Sequence, residues 1–114
     1  MTMKNTHEVI LCIVNAGFSE AAMDAARAQG AGGGTVIHAR GTAGIEAEKM
    51  FNITIEPEKE IVMIIVKKEN RDAILHALYN AVGLNTPGQG IAFALPVDKV
   101  VGLSEKKPEA KSED

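Results

Sequence analysis

The chain has 114 residues, with 12 Lys and Arg against 15 Asp and Glu for a net charge of -3. That is enough for one domain and its core, without the basic footprint that general nucleic-acid binding needs. No Trp, one Tyr and three Phe leave few faces for base stacking, and the lone Cys12 excludes an internal disulfide and a thiolate-clustered zinc site.

From the N-terminus, Met1-Thr2-Met3-Lys4 leads into no signal-type apolar stretch. Val9–Val14 reads VILCIV, a β-type run. Phe18–Gln29 reads as an Ala-rich helix, with Ser19 as the expected N-cap, Glu20 in the first turn and Gly30 closing the end. Gly30–Gly34 (GAGGG) is a loop, and Thr35–Ala39 resumes β character. From Arg40 to about Asn52 no period is visible, so a long exposed loop over about 40–57 is expected. Ile53–Val66 holds two β segments parted by Pro57, the second reading IVMIIV from Ile61. Asn70–Val82 reads as a second helix with Ile74, Leu75, Leu78 and Val82 on one face. Gly83–Gly90 is a second glycine-containing loop, Ile91–Leu95 a strand and Pro96–Leu103 an extended edge segment. Residues 104–114 form a polar tail, expected to be disordered.

The order is β-α-β-β-α-β, an α+β ferredoxin-like plan with an antiparallel sheet over residues 1–103. VILCIV and IVMIIV are apolar at nearly every position, whereas a strand with one wet face alternates. Two helices cover only one face of a four-stranded sheet. Exposing Val, Ile and Met on the other forgoes roughly 1.5–3 kcal/mol for each side chain, so copies are expected to pack sheet against sheet in a closed oligomer. No apolar run approaches a membrane span. A cytoplasmic protein with no membrane insertion is the expectation.

Candidate chemistry is sparse. GAGGG follows a helix and precedes a strand, the reverse of a phosphate-binding glycine turn, and reads as a flexible connection. His7, His38 and His76 are far apart and lack a second ligand at metal-site spacing. Cys12 inside an apolar strand reads as a buried, inert thiol. Glu46, Glu48, Glu56, Glu58 and Glu60 read as a solvated loop surface. No catalytic residues emerge, and no enzyme activity is expected.

GGGTVIHARGT (Gly32–Thr42), EPEKEIVMIIV (Glu56–Val66) and NTPGQGIAFALPVDKVVGL (Asn85–Leu103), in that element order, resemble the PII nitrogen-regulatory signalling family in its divergent PII-like branch. The resemblance spans about residues 7–103 and implies a ferredoxin-like homotrimer with the sheets lining its core. It further implies three inter-subunit clefts that bind adenine nucleotides. A long loop after the second strand would dock on a partner such as a membrane transporter or a metabolic enzyme. By resemblance, Thr35 and Ile65 take adenine-side positions, Ile13 lies on the adjoining strand, and Gly41 stands at the loop base; Arg40, a partial substitute for a phosphate-binding cation, and Thr42 are the further ligand-binding residues expected beside it. Gly88, Gln89 and Gly90 match the phosphate turn, and Ile45, Met50 and Phe51 are the apolar residues of the docking loop.

Three cations of the family's phosphate site are replaced, by Ile91, Gly102 and Ser104. Each charge-assisted contact is worth roughly 1.5–3 kcal/mol, so tight binding of a triphosphate is not expected. The loop has neither Tyr nor Ser, so the family's covalent modifications are not expected either. The competing reading is a small ferredoxin-like oligomeric enzyme, an isomerase or a cofactor-free oxygenase. It would require His38 or His76 in a cavity with a carboxylate.

Overall fold

The computed structural model of the protein describes residues 3–42, 57–86 and 89–103, with side chains from residue 6 onward. Its elements are β1 (Met3–Asn15), α1 (Ser19–Ala28), β2 (Thr35–Arg40), β3 (Glu58–Lys67), a short 3-10 turn (Lys68–Asn70), α2 (Arg71–Ala81) and β4 (Gly90–Val100). The sheet order is β2-β3-β1-β4, with every neighbouring pair antiparallel. This is the expected ferredoxin-like α+β arrangement. The β segment read at Ile53, the docking-loop residues Ile45, Met50 and Phe51, the turn residue Gly88, and Ser104 with its tail lie outside the described residues.

Register assigns every strand residue to a face, because directly paired residues point the same way. Ile10 pairs with Ile64 and Ala94, and Cys12 with Val62 and Ala92. These positions meet the helices: Ile10, Cys12, Val62 and Ile64 are fully buried, with Ala22, Ala26, Ile74 and Leu78 of α1 and α2 equally so. Alanine at Ala22 and Ala26 lets α1 lie close on the sheet, and the Ile74–Leu78 spacing of one helical turn gives α2 its apolar stripe. Glu8 also points to this side and is buried. Its carboxylate accepts a hydrogen bond from Arg71 Nη1 at 2.8 Å, which ties the start of α2 to β1.

The alternate positions form the second face. Leu11 pairs with Met63 and Phe93, Ile13 with Ile61 and Ile91, and Val9 with Ile65 and Leu95. Ile37 extends the Ile61 row onto β2. All are apolar, no described element lies over them, and Ile91, Leu95 and Ile37 are exposed by 57%, 48% and 41%.

Several boundaries move. β1 begins earlier and ends later than VILCIV suggests, since Met3, Lys4 and His7 pair with β4, with a register shift over the intervening Asn5 and Thr6. Pro96 does not end β4, because β4 is an edge strand, where a missing N–H costs little.

Ser19 is not the N-cap of α1. Phe18 holds that place with no side-chain cap. The cap is supplied from β3: Glu60 Oε1 accepts the backbone N–H groups of Gly17 at 3.1 Å and Ser19 at 3.2 Å. Glu60 is thus a strand residue bound to a helix end, not part of a solvated loop surface. Hydrogen bonds from the Ser19 hydroxyl and then from the Gly17 amide hold its carboxyl below the ordinary carboxylate range.

Candidate functional site

A hollow of about 630 Å³ lies at the end of the sheet where β2 begins and β3 ends. Thr35, Met63 and Ile65 line its floor, so the structure brings together the two residues with expected adenine-side positions. The loop 30–34 forms one wall and Leu103 contributes from beyond β4. Gly34 is required here, since a Cβ at this position would stand 2.9 Å from both the Met63 carbonyl oxygen and Met23 Sδ. The glycine lets the loop descend onto β3. His7, Lys67 and Asn70 make the polar edge of the hollow. None of the residues at that edge is apparent as a site residue in the sequence. His7 and Lys67 are sixty positions apart, and only the antiparallel register of β1 on β3 sets them opposite one another.

The other candidate residues gather elsewhere. Ile13 is paired with Ile61, four residues along β3 from Ile65, a span of about 13 Å. Gly90 lies directly against Ile13, with φ +152°, and a Cβ there would come within 2.5 Å of the Ile13 carbonyl oxygen. Gln89, adjoining it, donates its backbone N–H to the Thr86 carbonyl at 3.2 Å. Gly41 sits at the same end, its N–H bonded to the Pro57 carbonyl at 2.8 Å, and Thr42 beyond it is exposed. Ile91, which the resemblance sets at a lysine position, projects an uncharged side chain from the open face. Within one copy, then, Thr35 and Ile65 form one cluster and Ile13, Gln89 and Gly90 another.

A second, shallower hollow of about 340 Å³ is lined by His38, Arg40, Glu58 and Lys59. His38 Nδ1 is 3.9 Å from Glu60 Oε2, which brings a histidine beside a carboxylate. The imidazole is 86% exposed, and the carboxylate is already engaged by the N-terminus of α1. A carboxylate held low by such bonds is a poor general base. His76 lies on the surface of α2 and accepts a hydrogen bond from Asn80 Nδ2 at 3.2 Å. Cys12 is fully buried, and desolvation pushes its thiol up to about 11, the condition of an inert thiol. No group of His, Cys, Asp and Glu suited to a metal ion occurs among the described residues, and no helix there is long and apolar enough to cross a membrane.

Comparison with models of protein families gives no match, and comparison with curated proteins gives none. Solved structures do match. A PII protein of Arabidopsis thaliana bound to citrate superposes with a TM-score of 0.61 at 21% identity, covering 82% of this chain and 77% of that one. CPII, a nitrogen regulatory PII-like protein from Thiomonas intermedia K12 bound to ADP, AMP and bicarbonate, superposes with a TM-score of 0.66 at 13% identity, covering 91% of this chain and 100% of that one. The chain has the PII fold. At these identities the likeness is one of architecture.

Proposed function

We propose that the protein is a non-enzymatic, cytoplasmic PII-like signal-transduction protein that works as a homotrimer. Three copies pack through their apolar sheet faces. A small effector, an adenine nucleotide, binds in the clefts so formed. The bound effector selects the conformation of the loop over about 40–57, and with it docking on a protein partner such as a membrane transporter or a metabolic enzyme.

The observation that carries this reading is the uncovered apolar face together with the parted site residues. A neighbour packed on that face would set Thr35 and Ile65 of one copy toward Ile13, Gln89 and Gly90 of the next, completing a cleft that one chain has only in halves. The PII-like protein from Thiomonas intermedia, solved with ADP and AMP, supports the choice of nucleotide. The uncharged Ile91 and Gly102 favour a nucleotide with few phosphates over a triphosphate. Calorimetric titration of the purified protein with AMP, ADP and ATP tests this. Saturable binding of AMP or ADP, with ATP no tighter, is expected; no heat and no thermal shift with any of them would remove the nucleotide effector.

A further inference from the structure

We infer that the hollow at the β2–β3 end carries an anion subsite at its His7–Lys67 edge, which takes one phosphate or carboxylate group of the bound effector. This deepens the reading of the hollow as an effector site and rests on it.

Charge is the first observation. His7 and Lys67 are direct cross-strand partners on the same sheet face, so their side chains issue side by side into the hollow. None of the lining residues is acidic. The nearest carboxylate along β1, Glu8, points to the opposite face and is held by Arg71. Lys67 has no ion-pair partner among the described residues. His7 is buried, with its Nδ1 hydrogen-bonded to the Thr6 hydroxyl at 2.7 Å, so the ring is fixed in place.

The glycine loop supplies the second observation. Gly30 is needed for its φ of +102° at the end of α1, and Gly34 for its close approach to β3. Neither reason applies to Gly32 and Gly33, whose Cβ atoms would meet nothing within 4 Å and whose φ is not in the left-handed range. Both line the hollow. Bare backbone there leaves clearance for a ligand along the wall of the hollow that Lys67 also lines. One cation beside side-chain-free backbone suits a compact anion, while Met63, Ile65 and Leu103 offer an apolar surface to the rest of the same molecule.

The test is a ¹H–¹⁵N titration of the full chain with inorganic phosphate at constant ionic strength, followed by AMP. Shifts are expected to concentrate on Gly32, Gly33, His7 and Lys67. Lys67→Gln should weaken phosphate binding by about tenfold, whereas Lys68→Gln, next along the chain but outside the hollow, should leave it unchanged. Shifts scattered over the surface lysines, or equal affinity in Lys67→Gln and the parent, would overturn the subsite. The two readings fail separately. AMP bound at Thr35 and Ile65 without phosphate at Lys67 would leave the nucleotide function and remove the anion edge; phosphate at Lys67 without AMP binding would do the reverse.

Discussion

The two faces of the sheet are built from the same residue types but meet different fates. On the helix side, Ile10, Cys12, Val62 and Ile64 are sealed by α1 and α2. On the other, Leu11, Ile13, Met63 and Ile65 are only partly buried, and Ile91, Phe93 and Leu95 are exposed. Val, Ile, Leu and Met therefore build the core on one side, and on the other form the face through which copies are proposed to associate. Alternating residues of one strand, such as Met63 and Ile64, carry different tasks.

The largest expected effect separates these neighbours. Ile64→Asp places a charge in the sealed core and should abolish folding, seen as loss of the circular dichroism signal. Met63→Asp should keep the spectrum and lose the oligomer in sedimentation velocity. Equal outcomes for the two would erase the distinction between the faces. A milder cut sharpens it: Ile64→Ala should cost about 2–5 kcal/mol in urea unfolding, while Met63→Ala should mainly make the melting temperature depend on protein concentration. Gly90→Ala tests the edge of the open face. Its Cβ would clash with the Ile13 carbonyl, and a loss of about 1–3 kcal/mol is expected.

The smallest effect concerns the strap from β3 to α1. Because bonding depresses the folded-state pKa of Glu60, its contribution is complete above the ordinary carboxylate range and is lost as acidification protonates it in the fold. Glu60→Gln should flatten the fall of melting temperature between neutral and acid pH, with little change at the sheet. An unaltered acid limb would mean that the cap contributes nothing measurable.

Much of this architecture is written in the sequence. VILCIV and IVMIIV announce central strands, the Ile74, Leu75, Leu78 and Val82 spacing announces α2, and the lack of alternation announces a sheet that is apolar on both faces. What escapes is whatever depends on register between distant strands. The cap of α1 comes from Glu60, 41 residues away, so Ser19 at the helix start is the natural but mistaken choice. His7 and Lys67 become neighbours only through β1–β3 pairing, which no short turn fixes. The start of β1 escapes for a local reason: polar Lys4, Asn5 and Thr6 break the apolar run, while pairing with β4 resumes beyond a register shift at Met3 and Lys4. Of the expected site residues, Thr35 and Ile65 meet in one hollow, and Ile13, Gln89 and Gly90 in another place, a division that residue matching alone does not reveal.

The account turns on whether identical copies cover the open face. Sedimentation equilibrium of the native chain at micromolar concentration addresses this directly. A single species of three times 12.1 kDa is predicted; a stable 12.1 kDa species, with the open face left to water, would contradict it.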